Sequence, residues 1–160
     1  MIPSIDERLA SVIRAMTDLI LPSLPPEAGL AIEQAQLSIG QLQIIRAQID
    51  AAPAYEQEEL DDAHGLGAAL LDGAAGGPAT QAALAGLRTA LAATNAADPA
   101  AVRAARVAIH AAIDVLIKAM GVDGEAGYRA AAGQRIVALQ APRTAKDRKW
   151  FAPMGFDTDI

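Results

Sequence analysis

The chain has two histidines, His64 and His110, and each has a carboxylate at helical spacing. Asp61 stands three residues before His64 and Asp114 four residues after His110, so on helices each pair shares a face. Two facing helices carrying such pairs could hold a divalent metal. The set falls short of the carboxylate-bridged pattern, which takes a Glu-x-x-His from each of two helices plus further glutamates. The expectation is no metal and no cofactor, with these four residues as the site of the lesser alternative, a metal-dependent enzyme.

Other constellations are weaker. Glu58, Glu59, Asp61 and Asp62 could supply a general-acid pair, but acids gathered in a first helical turn are the ordinary response to the helix dipole. Gly121-Val-Asp-Gly124-Glu-Ala-Gly127 has the glycines of a phosphate loop, yet it follows a helical pattern where a strand is required and lacks the lysine. It reads as a helix stop and turn. No Gly-x-Ser-x-Gly elbow occurs, and Ser4, Ser11, Ser23 and Ser38 fall at caps, in a proline turn or inside helices. The chain leans away from being an enzyme.

The carboxy-terminal stretch is the most suggestive. It is basic in Arg143, Lys146, Arg148 and Lys149, and then holds three of the chain's five aromatic residues, Trp150, Phe151 and Phe156. Lys149, Trp150, Phe151 and Phe156 are the candidate interaction residues, because a cation beside aromatic rings suits a docking peptide. The competing reading is a strap over the chain's own helices. A dimer with exchanged tails would satisfy both.

These residues must be placed by helices. Ser4 and Glu7 form a capping box. Leu9, Val12, Ile13, Met16, Leu19 and Ile20 then give one dry stripe until Pro22. The segment from Pro26 to Asp50 is apolar nearly all round, with Leu30, Leu37 and Ile44 on one side and Ile32 and Ile39 on another. Such a helix is expected to be the buried middle of a bundle, or to be shared between a core and a partner. A third helix spans about Tyr55 to Leu71. Asp72-Gly-Ala-Ala-Gly-Gly-Pro78 is the one convincing linker, read as a flexible loop. A fourth helix covers about Ala79 to Ala93, and Asp98-Pro99 starts a fifth that Gly121 stops. A sixth, capped by Asp123 or Gly124, runs through Tyr128 and Ile136 to Pro142.

Length and charge bound the rest. The 160 residues suit a single domain able to bury a core, and the absence of cysteine removes disulfides and thiolate chemistry. The net charge of -6 is unevenly spread: residues 1–72 hold 12 acids and 3 bases, residues 73–160 hold 7 acids and 10 bases. The halves should attract within one fold or between copies, and the overall sign disfavours nucleic acid. No uncharged run reaches the roughly 18 residues of a membrane span, and Asp6 and Glu7 stand where a signal peptide is basic. A cytoplasmic protein is expected.

From Leu9 to Leu71 the order of features resembles a family of small uncharacterised bacterial helical proteins encoded beside phosphotransferase-like and acyl-CoA dehydrogenase-like proteins. The residues that carry this are Ile20-Leu-Pro22-Ser-Leu24, the apolar Leu30 to Ile49 helix with Ile44-Ile-Arg46, and the acidic helix after it. The resemblance implies an accessory helical protein and transfers no functional residue.

The sequence therefore predicts an all-α bundle of five or six helices around the apolar helix at about 26–50. Residues 4–141 form the bundle, with a flexible loop at 72–78, and 142–160 an irregular aromatic and basic tail. The expected role is a homodimeric interaction or accessory protein, with a protein partner as the further option. The alternative is a carrier with an apolar cavity lined by Met16, Met120 and Met154.

Overall fold

Ser4 opens the first helix by the reciprocal exchange that its spacing predicts. Its Oγ accepts from the Glu7 amide at 3.1 Å, and the Glu7 carboxylate accepts from the Ser4 amide at 2.7 Å. The computed structural model describes residues 2–93 and 98–151. The chain divides into two units, Met1–Ala52 and Pro53–Ile160. The break thus falls after the apolar helix, and the glycine-rich loop at 72–78 lies inside the second unit.

The first unit is a helical hairpin. Helix α1 (Ile5–Ala15) widens into π-helical turns over Met16–Ile20 and regains α geometry for one turn, α2 (Leu21–Ser23). Pro22 lies in that turn. A proline ring crowds the carbonyl four residues back and cannot bond to it, and the widened turns just before it give the ring room. Helix α3 (Gly29–Gln48) returns along α1. A two-pronged ion pair fixes the register: Arg46 Nε donates to Asp6 Oδ1 at 2.6 Å and Nη2 to Oδ2 at 3.1 Å.

The side of α3 bearing Ile32, Ala35, Ile39, Leu42 and Arg46 turns toward α1, and Ile39 is its one buried residue. Leu30 stays 72% exposed and Leu37 55%. The expectation that α3 is the buried middle of the bundle is therefore corrected. The molecule's core lies in the other unit. A helix apolar on every side has two faces to cover, and its sequence does not say whether the second is covered by the same chain.

The second unit packs α4 (Ala52–Leu71), α5 (Pro78–Ala92), α6 (Pro99–Asp123) and α7 (Ala126–Phe151). Leu60, Leu66, Leu70, Leu84, Leu87, Ile109, Ile113, Leu116, Met120 and Tyr128 form one contiguous core. Alanines let the backbones of α5 and α6 come close. At Gly67 an added Cβ would lie 2.9 Å from Leu91 Cδ2, so a side chain there would make that leucine shift. The Tyr128 hydroxyl donates to the Leu70 carbonyl at 2.6 Å.

The loop at 72–78 is strapped rather than loose. Gly73 takes a φ of 62°, the left-handed stop after α4. Gly77 N–H then donates to the Asp123 carbonyl at 2.9 Å, Glu125 N–H donates to the Ala75 carbonyl at 3.1 Å, and Gly76 bridges Gly124. Asp123 does not cap α7, as its position suggested. Its carboxylate accepts from Ala79 N at 2.8 Å, Thr80 N at 2.9 Å and Thr80 Oγ1 at 2.6 Å, capping α5 from across the chain. Those bonds, led by the Thr80 hydroxyl, hold the Asp123 pKa below the usual range.

Two predicted helix ends move. Helix α6 passes through Gly121, where a side chain would meet open space, and stops at Gly124. Helix α7 passes through Pro142, so residues 143–151 of the expected irregular tail are helical.

Candidate interaction faces and a buried charge cluster

Glu59 sits in the first turns of α4 and is 3% exposed. A lone carboxylate there would be costly, and three bases meet it. Arg143 Nη2 donates to Oε2 at 2.8 Å, Arg106 Nη1 lies 3.6 Å from the same oxygen, and Lys146 Nζ lies 2.8 Å from Oε1. Lys146 also pairs with Asp62, and Arg103 Nη1 reaches both Glu56 oxygens at 3.1 and 2.9 Å. Burial pushes the Glu59 pKa up, but the Lys146 and Arg143 charges and hydrogen bonds outweigh it, and the pKa is lowered. Burial pulls Lys146 down, and its bonds to Asp62 and Glu59 raise it on balance. The cluster is a closed clamp joining α4 to α6 and α7. Arg143 Nε is enclosed with no hydrogen-bond partner.

Every ion pair described in this unit joins an acid from residues 56–72 to a base from residues 103–146. The attraction between the acidic and basic halves is thus realised here within one fold. The sequence presents Glu59 with Glu58, Asp61 and Asp62 as an acid cluster at a helix start, and its burial is the main feature of the site that the sequence does not disclose. The available signal was the match of that turn to bases spaced three apart on two other helices, Arg103 with Arg106 and Arg143 with Lys146.

The aromatic residues of the carboxy-terminal stretch part company. Trp150 stacks on Tyr55 with ring centroids 4.2 Å apart and planes 15° from parallel. Tyr55 donates its hydroxyl proton to Asp147 Oδ1 at 2.5 Å, and Lys146 Nζ lies 5.4 Å from its ring centroid. Burial, then the Asp147 bond, raises the tyrosine pKa. Trp150 thus serves the strap reading, in its own chain. Lys149 and Phe151 remain exposed, and Phe156 lies outside the described residues.

The two histidines go separate ways. His64 Nε2 lies 3.2 Å from the Leu91 carbonyl, tying α4 to α5. His110 is half-buried on α6, and burial, then the charges of Arg143 and Arg106, lowers its pKa. Two guanidiniums beside an imidazole repel a cation. Among the described residues no three His, Cys, Asp or Glu side chains gather to hold a metal, so Asp61 and Asp114 do not complete a site.

What the polar groups leave over is apolar surface. Helices α5 and α6 frame an open groove of about 520 Å³ lined by Ala82, Gly86, Ala90, Ala108, Ala112 and Val115, among other small residues. Met120 is in the core, Met16 is half-buried in the first unit and Met154 lies outside the described residues; neither Met16 nor Met120 lines this groove. On the hairpin, Leu30, Leu37 and Ile45 of α3 are exposed. Among the described residues no helix is long and apolar enough to cross a membrane.

Comparison with protein families, with curated proteins and with solved structures gives no match to this chain.

Proposed function

We propose that this is an interaction protein that works through contacts between helix faces, as a homodimer or on a protein partner. The observation that carries the reading is a contrast. Glu56, Glu59, Asp62 and Asp72 are closed into ion pairs with bases of their own unit, while large apolar side chains on both units, Leu30 at 72% exposure and Val107 at 62%, face outward. Where such side chains gather into a contiguous patch they form association surfaces or ligand grooves. Five of the ten basic residues after residue 72, Arg103, Arg106, Arg135, Arg143 and Lys146, hold acids of the same unit, and the net charge of -6 disfavours nucleic acid. A cytoplasmic setting and an accessory role belong to the same proposal.

A second reading, a carrier of an apolar small molecule, is favoured by the α5–α6 groove. Native mass spectrometry of the whole chain separates the two. The interaction reading expects a dimer, or a co-purifying protein, with no small molecule retained. A monomer holding a stoichiometric apolar ligand supports the carrier, and a bare monomer at every concentration overturns the homodimer.

A further inference from the structure

Helix α7 is held by two kinds of contact, and Pro142 lies between them. Up to Ile136 it belongs to the core, through Tyr128 and Ala132. Beyond Pro142 it is held by a polar stripe: Arg143, Lys146, Asp147 and Trp150 recur at three and four residues and so share one face. That face meets Tyr55, Glu59 and Asp62, which share a face of α4 by the same spacing. The pairing runs antiparallel, with Trp150 on Tyr55 at one end and Arg143 and Lys146 on Glu59 and Asp62 at the other. Cations meet acids and ring meets ring, and nothing in that fit requires both stripes to belong to one chain. Pro142 has no N–H for the Ala138 carbonyl, and Ala138, Leu139, Ala141 and Pro142 are exposed, so a bend there disturbs no core.

We infer that residues 143–151 are an exchangeable arm: in the dimer the arm of each copy lies on the partner's α4, with Pro142 as the hinge. The inference rests on the homodimer reading above and names its contact. The occupant of the α4 stripe is selected by the contacts described within one chain, since a second copy brings the same arm and re-forms each of them. Arg143 and Lys146 then hold the partner's Glu59, and Trp150 stacks on the partner's Tyr55. Two such contacts related by a two-fold axis close the assembly at two copies. What exchange adds is relief at the hinge. Within one chain the helix must carry the proline, an equilibrium penalty of roughly a hundredfold, whereas in the exchanged pair residues 140–142 can open out of the helix. The tethered arm competes at an effective concentration of about a millimolar. Relief at two hinges, roughly a hundredfold each, outweighs that tether and places the dissociation constant on the order of a micromolar or below.

Sedimentation equilibrium of the full chain and three variants tests this, with circular dichroism to compare helix content. Wild type is expected to dimerise. Pro142→Ala restores the missing bond within one chain and should weaken the dimer by roughly a hundredfold or more while helix content is kept, which loss of folding cannot imitate. Glu59→Lys and Lys146→Glu each set like charges against one another, within a chain or between copies, and each alone should be monomeric. Mixed in equal amounts they should dimerise, because the arm of the first then meets the intact Glu59 of the second, and the Glu59→Lys site meets the Lys146→Glu arm. If wild type dimerises and Pro142→Ala dimerises as tightly, the arm is not exchanged and the homodimer stands on another contact. The same conclusion follows if either charge variant alone dimerises like wild type, or if both are folded and their mixture stays monomeric. A wild type that is monomeric at every concentration overturns both the exchange and the homodimer.

Discussion

Tyr55 in the first turns of α4 and Trp150 in the last turn of α7 stack face to face, 4.2 Å between centroids. That contact spans nearly the whole length of the second unit's sequence and explains how α7 continues beyond Pro142. A proline inside a helix costs about 3 kcal/mol or more. The stack, worth ~1 kcal/mol beyond its buried area, adds to the burial of the indole and to the charge-assisted bonds of Arg143 and Lys146 to offset it. Trp150→Ala should lower unfolding free energy by about 2 kcal/mol. Hydrogen exchange should quicken in residues 143–151 and stay unchanged at the start of α7. Uniform protection along α7 in the variant would show that the stack does not hold the segment.

Glu59 is the hub of the clamp, so its removal strands three bases. Glu59→Gln should cost about 3 kcal/mol, in the range found when one partner of a buried ion pair is deleted. Urea unfolding measures it. Changing Glu56, whose pair with Arg103 is more exposed, should cost under about 1 kcal/mol. Equal costs at the two sites would mean that burial does not set the value of these pairs.

Acid should weaken the fold in two stages. His110 has its folded pKa below the ordinary 6.5, so the unfolded chain takes the proton first. Its contribution is complete above pH 6.5 and is lost as pH falls from there toward the folded value. The Glu59 pKa lies below its ordinary 4.5, so its share is complete above that pH and is lost as pH falls through the folded pKa. Urea midpoints across this range should fall in both stages for wild type and in the lower stage alone for His110→Gln. A wild-type midpoint that is flat from neutrality down to pH 4.5 would contradict the assignment to His110.

At Gly77 an added Cβ would lie 2.6 Å from Asp123 Oδ2, in the carboxylate that caps α5. Gly77→Ala should therefore destabilise by ~1–3 kcal/mol, as overpacking does. The same substitution in an Asp123→Ala background should cost less, because the clashing group is gone. Thermal unfolding of the four proteins completes the cycle, and strict additivity would refute the clash.

The local features of the fold were legible. The Ser4–Glu7 exchange and the Asp98 cap, which accepts from Ala101 N at 2.9 Å, follow from a few adjacent residues. The attraction of acidic for basic halves was legible too, since charge counts survive any arrangement. Four things were not. Pro142 signals a stop, and only distant anchors at Tyr55 and Glu59 override it. Asp123 looks like a cap for the helix that follows it, and the folded loop delivers it to another. The burial of Glu59 and the exposure of Leu30 both depend on which helices meet, which periodicity along one helix does not encode.

Self-association through helix faces is the claim on which the functional account depends, and it can be read most directly from the molar mass of the intact chain in solution. Light scattering behind size-exclusion chromatography, run over a wide range of loading concentrations, should give a mass that rises from one toward two copies of 16.5 kDa. A mass that stays at one copy throughout would contradict it.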